Sequence, residues 1–124
     1  MTVHQAIIPA AGLSRRLHPL SLGLPKIFLP VRGKDHKIVV ILQHLLEQLI
    51  GSGITRIGIV CGPSDRKLFR FGVETVVGCL DEPTAGALEE IKLISQPEPD
   101  GLGGAMLASE KWLGADPFLT VLGD

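Results

Sequence analysis

Cysteine, net charge and long apolar runs are all in short supply here, and each shortage removes a class of protein. Cys61 and Cys79 are the only two cysteines. They lack metal-ligand spacing and are too few for a disulfide framework, so both read as core thiols of a reduced chain in the cytoplasm. Twelve Lys and Arg residues against 13 Asp and Glu leave a net charge of -1. That balance offers no broad electrostatic surface to nucleic acid or an anionic membrane, so any anion must be held by a local site. No stretch approaches the roughly 20 apolar residues of a membrane span, and Met1 to Gln5 contain no basic segment leading into an apolar one. Repeats, low-complexity tracts and internal linkers are also missing. The 124 residues therefore read as one domain, 1–124, of a size that buries roughly two-thirds of the surface its unfolded chain exposes.

What is present is an alternation of short apolar runs and helical periods. Val3 to Ile8 predicts a strand buried on both faces, closed by Pro9-Ala10-Ala11-Gly12. Residues 38–50 place Ile38, Leu42, Leu45, Leu46 and Leu49 at helical spacing, with Gly51 and Gly53 as the stop. Ile54 to Val60 predicts a second strand, after which Ser64 and Asp65 offer caps for a short helix through about Phe71. Residues 72–90 read as a strand over Val73 to Val77 and then, from Thr84 to Glu90, the beginning of a helix running toward Ile91. Ile91 to Ser95 reads as a strand, and Leu102 to Leu113 as a helix with Ala105, Ala108 and Trp112 on one face. Phe118 to Leu122 reads as a final buried strand. Such alternation predicts an α/β fold, a Rossmann-like three-layer sandwich with a mostly parallel sheet joined by right-handed crossovers. Open parallel sheets bind ligands at the carboxyl ends of their strands. The loops after three of these strands, residues 9–30, 96–104 and 123–124, should therefore converge on one edge.

The first loop, Ala10-Ala11-Gly12-Leu13-Ser14-Arg15-Arg16-Leu17-His18-Pro19, combines small residues with two cations, and Pro25-Lys26 follows. Small side chains let backbone N–H groups approach an anion, and an arginine fork adds charge-assisted bonds to phosphate. A triphosphate under attack needs donors already in position for the charge that develops on phosphorus. The blander alternative is a glycine turn with solvated arginines. The second loop, Gln96-Pro97-Glu98-Pro99-Asp100-Gly101-Leu102-Gly103-Gly104-Ala105, couples a side-chain amide to a glycine turn that opens a helix. An amide can donate to and accept from a nucleobase edge, and Gly101 lets the backbone reach the same base. The alternative there is a proline-rich connection.

These segments, with Leu29-Pro30-Val31 and Pro117-Phe118-Leu119-Thr120-Val121-Leu122-Gly123-Asp124, resemble the landmarks of the sugar-1-phosphate nucleotidyltransferases, the sugar-nucleotide pyrophosphorylase family. The Gly-Leu-Gly portion is most similar to the UTP:glucose-1-phosphate uridylyltransferase branch. Glu82-Pro83-Thr84-Ala85-Gly86-Ala87-Leu88 also resembles the base-reading segment, but no clear strand precedes it. Ser14 replaces the family's second glycine, and Arg15 stands where threonine is commoner.

The resemblance implies a truncated nucleotidyltransferase fold, the nucleotide-binding part without the sugar-binding half. It implies that Ala10, Ala11, Gly12, Leu13 and Ser14 cradle the phosphates of a nucleoside triphosphate, with UTP favoured. Arg16 and Lys26 would be the catalytic cations, Gln96 and Gly101 would read the base, and Asp124 would bind magnesium (Mg2+). The second substrate implied is a sugar-1-phosphate, with glucose-1-phosphate favoured, and no protein nucleophile is required. A half ending on its last strand would leave sheet edge uncovered, which favours a homo-oligomer. Two alternatives stay open: a non-catalytic nucleotide-binding regulatory module, and a ligand-free interaction domain on the same fold.

Overall fold

The computed structural model describes residues 2–10, 26–33, 36–97 and 101–121, with the backbone alone at 26, 101 and 102. Strand β1 (Gln5–Pro9) begins the fold. A single 3-10 turn over Lys26–Phe28 leads into β2 (Pro30–Arg32), which pairs antiparallel with β3 (Ile38–Val40). Helix α1 (Ile41–Gly51), β4 (Arg56–Cys61) and α2 (Arg66–Gly78) follow. The short α3 (Glu82–Ala87), β5 (Glu90–Ser95), α4 (Gly101–Leu113) and β6 (Phe118–Thr120) complete the order. The main sheet runs β5-β4-β1-β6, and every pairing in it is parallel.

Alternating side chains of the buried strands feed two cores. Ala6, Ile8, Ile57, Ile59 and Cys61 point to one face, where Leu42, Leu46, Leu49 and Ile50 of α1 and Phe69, Val73 and Val76 of α2 cover them. Ile7, Val60 and Ile94 point to the other face and meet Ala105, Ala108, Trp112 and Leu113 of α4. The result is the expected α/β/α three-layer sandwich. Full burial of each such aliphatic side chain contributes roughly 1.5–3 kcal/mol, so the two cores hold the helices onto both faces of the sheet. Among the described residues no helix is long and apolar enough to cross a membrane.

Several expectations from the sequence change. The helix expected from residue 38 starts at Ile41, because Ile38, Val39 and Val40 pair with Arg32, Val31 and Pro30. These β-branched residues lose rotamer freedom in a helix and gain a strand partner here, and Ile38 is left 77% exposed. Gly53, at φ +99°, then turns the chain out of α1. The segment from Val73 to Val77 is helical, since Phe69, Val73 and Val76 fall at i, i+4 and i+7 on the buried face of α2. The tertiary face thus overrides the strand preference of three valines. Asp65 precedes α2 but makes no side-chain capping bond; α3 does have one, where Asp81 Oδ1 accepts a 2.9 Å bond from the Thr84 N–H. Within the segment 82–88, Glu82–Ala87 forms α3 and follows α2 rather than a strand.

Strand β6 was expected to be buried, but Leu119 is 44% exposed. It lies at one end of the described sheet with β1 as its single partner. Cys61 is the buried thiol expected, whereas Cys79, just past the end of α2, is exposed.

Candidate functional site

Because all four strands of the main sheet are parallel, their carboxyl ends share one edge. The ladder continues one residue beyond three of them. Ala10 N–H donates to Val60 O at 2.8 Å, Gln96 N–H to Cys61 O at 2.9 Å, and Val121 N–H to Ile7 O at 2.9 Å. Along that edge the order is Gln96, Cys61, Ala10 and Val121, with neighbouring strands about 4.8 Å apart. Ala10 and Gln96 are both buried, and Gln96 is one of three buried polar side chains among the described residues.

Gly101 opens α4. The far end of that helix is fixed at the opposite edge, where Leu113 O accepts a 3.0 Å bond from Gln5 Nε2 at the start of β1. A helix of 13 residues spans about 20 Å at about 1.5 Å per residue. The Gly101 backbone therefore sits toward the carboxyl edge, with the positive end of the helix dipole on that side of the sheet. Lys26 returns on the opposite face. Its turn is anchored by the fully buried Ile27 among α1 and α2, and Leu29 O accepts the Ile41 N–H at 2.9 Å where α1 begins.

At the start of α2, Arg66 Nη1 donates to Ser95 Oγ at 2.8 Å at the end of β5. Arg66 is a cation at this edge to which the sequence reading assigned nothing. Its signal was slight, a basic residue directly after Pro63-Ser64-Asp65. Cys61 lies here too. Burial pushes its thiol up, against the opposing pull of the Arg66 charge, so it stays neutral at physiological pH and is unsuited to nucleophilic chemistry.

Of the sequence-derived site residues, Ala10, Gln96 and the backbone of Gly101 lie along one edge, with the turn that begins at Lys26 on the α1–α2 face. Ala11, Gly12, Leu13, Ser14, Arg16 and Asp124 lie outside the described residues, as does the side chain of Lys26. Among the described residues no group of three or more His, Cys, Asp or Glu could hold a metal ion. A cleft of about 360 Å³ opens at the other end of the sheet, lined by Thr2, His4, Gln5, Arg56, Ala115, Asp116 and Pro117. The Arg56 guanidinium there is already committed to Gln5, Glu90 and the Trp112 carbonyl.

Comparison with known proteins agrees with this topology. The nucleotidyl transferase family model matches residues 5–124. The UTP–glucose-1-phosphate uridylyltransferase of Bacillus subtilis (strain 168) is 34% identical, over 98% of this chain and 44% of its own length. The Streptococcus pyogenes enzyme of the same name is 34% identical, over 98% of this chain and 42% of its own. A UDP-glucose pyrophosphorylase crystallised with UDP-glucose superposes with a TM-score of 0.70 at 24% identity, covering 98% of this chain and 46% of that one. A UTP-bound UGPase from Acinetobacter baumannii gives a TM-score of 0.71 at 23% identity. The chain thus spans less than half the length of the relatives it matches. With a family match across nearly every residue and a sheet whose loops leave from one edge, this chain belongs to the nucleotidyl transferase family.

Proposed function

We propose that residues 1–124 form the nucleotide-binding part of an enzyme that transfers a uridylyl group from UTP to glucose-1-phosphate. A phosphate oxygen of the sugar-1-phosphate attacks the α-phosphorus of the nucleotide. The bond from that phosphorus to the bridging oxygen breaks, and pyrophosphate leaves with the electron pair. No protein nucleophile takes part, so the chain contributes positioning and charge. The turn starts from Ala10, whose own N–H is bonded to Val60 O, and the backbone N–H groups of Ala11, Gly12, Leu13 and Ser14 hold the phosphates. Arg16 and Lys26 neutralise the negative charge that grows on the leaving pyrophosphate. The Gln96 amide and the Gly101 backbone select the base.

Asp124 suits Mg2+ by its chemistry, since this ion takes one or two carboxylates and completes its shell with substrate oxygens. When bound, the ion supplies charge neutralisation between nucleotide and sugar phosphate. The relatives' names supply the substrates of this reading, and a solved neighbour holds UTP.

The observation that carries the proposal is the common edge, where Ala10 and Gln96 extend β1 and β5 on either side of β4, the edge toward which α4 begins at Gly101. A cytoplasmic protein that self-associates through its sheet edge belongs to the same reading. Calorimetric titration of the chain with UTP, with and without magnesium, tests it. Magnesium-dependent binding is expected, with little or no pyrophosphate release on adding glucose-1-phosphate. Absence of UTP binding in the presence of magnesium would overturn the assignment. Binding with no turnover, even when the remaining length of a relative is supplied in trans, would favour the regulatory module.

A further inference from the structure

We propose that Phe28, Phe69 and Gly72 form a packing clamp that positions Lys26 for the triphosphate, which makes Gly72 a positioning residue of the nucleotide site. The proposal rests on the reading of Lys26 as a phosphate-binding cation. The turn Lys26–Phe28 is three residues long, too short to hold its own place by internal hydrogen bonds. Its location is therefore set by what its side chains pack against. Ile27 is fully buried in the core beneath α1 and α2. Phe28 meets Phe69 of α2 edge to face, with ring centroids 5.3 Å apart at 62°.

The same ring occupies the space in which a side chain at position 72 would stand. A methyl group on Gly72 would lie 2.5 Å from Phe28 Cε1 and Cζ and 3.1 Å from Cδ1, closer than a packed carbon tolerates. Gly72 lies mid-way along the 13-residue α2, where glycine weakens a helix relative to alanine. Its backbone does not call for glycine, since positive φ among the described glycines is confined to Gly53 and Gly114. Methyl groups at Gly51, Gly78 and Gly86 would meet nothing. The glycine at 72 is explained by the approach of Phe28. The Arg66–Ser95 bond pins the start of α2 at the carboxyl edge, so Phe69 and Gly72 lie about 4.5 and 9 Å further along the helix axis. The clamp therefore ties the Lys26 backbone, two residues before Phe28 in the same turn, to this stretch of α2.

The experiment is UTP titration of the full chain in the presence of magnesium, with folding checked by far-ultraviolet circular dichroism. Lys26→Ala is expected to weaken binding about ten- to a hundredfold, the range for loss of a charged hydrogen bond. Gly72→Ala is expected to keep the fold and weaken binding severalfold, because the ring must shift and carry the turn with it. Phe28→Leu is expected to do the same by emptying the hollow above Gly72, and it keeps the test open if Gly72→Ala does not fold. Pairing Gly72→Ala with Phe28→Leu should restore affinity, since the shorter side chain admits the methyl. Neither variant should weaken binding further once Lys26 is alanine, because both act through it. Unchanged affinity in folded Gly72→Ala and Phe28→Leu, or penalties that add to that of Lys26→Ala, would overturn the clamp. Unchanged affinity in Lys26→Ala alone would instead overturn the assignment of Lys26, and the clamp's function with it.

Discussion

Gln5 Oε1 accepts a 2.8 Å hydrogen bond from Arg56 Nη1 across the neighbouring strands β1 and β4, at the sheet edge opposite Ala10 and Gln96. The Gln5 amide also donates to Leu113 O at 3.0 Å and Asp116 O at 3.2 Å. One buried side chain thereby ties the end of α4 and the approach to β6 onto the central strand. Arg56 also pairs with Glu90 at 3.2 Å and lies 4.4 Å from the centre of the Trp112 ring. That ion pair is partly exposed and is worth about 0–1 kcal/mol, so the buried amide should dominate. Gln5→Leu leaves two carbonyls and a guanidinium N–H without this partner and is expected to cost about 1–3 kcal/mol. Glu90→Gln should cost less. Urea denaturation compares the two, and equal losses would contradict this ranking.

Gly58 lies where three side chains converge. A methyl group there would stand 2.9 Å from Ile7 Cδ1, 3.0 Å from Ile94 Cδ1 and 3.0 Å from Trp112 Cζ3. Gly58→Ala therefore overpacks the core beneath α4, at a cost of about 1–3 kcal/mol. Trp112 is the one tryptophan of the chain, so a shift of its emission should accompany the loss. A fully stable Gly58→Ala with unchanged fluorescence would show that α4 packs less tightly than described.

Asp81 caps α3, and hydrogen bonds from Thr84, through its side chain first and its backbone N–H second, hold the Asp81 carboxyl below its ordinary value. A folded-state pKa below the unfolded one stabilises the protein above the ordinary carboxylate range, about 4. That contribution disappears as pH falls through the lower, folded value. Asp81→Ala should lower the denaturation midpoint at neutral pH and converge on the unmodified chain in acid. Asp81→Asn keeps an oxygen cap and should lack this pH dependence. A midpoint difference for Asp81→Ala that persists undiminished in acid would argue against the cap as its source.

The two thiols should separate cleanly. Cys79 is exposed, whereas Cys61 is buried with its pKa raised by desolvation. Ellman's reagent is expected to titrate one thiol in the native chain and both of the two cysteines in guanidinium. Rapid reaction of both in the native state would place Cys61 within reach of solvent.

The metal assignment has its own test. Asp124→Asn should reduce UTP affinity in magnesium to the level the unmodified chain shows in EDTA. Retained magnesium dependence would remove Asp124 from the metal site.

Much of this architecture was legible as periodicity. The apolar runs before Pro9, Gly62 and Gln96 became parallel strands, and Leu42, Leu46 and Leu49 became the buried stripe of α1. Single-residue features were not legible. Nothing local announces that Gln5, inside an apolar run, is buried with three partners, because those partners lie more than 50 residues away.

By itself the sequence determined the class of fold, since strand and helix periods follow from which side chains must leave water, and it indicated the family through loop segments that resemble that family's landmarks. Tertiary structure alone decided the strand order β5-β4-β1-β6, the strand at Ile38–Val40, the helix through Val73 to Val77 and the contact between Phe28 and Gly72. Each of these depends on a partner distant in the chain, and the burial or pairing that partner supplies outweighs a local conformational preference worth a fraction of a kcal/mol per residue, on the order of 0.5 kcal/mol.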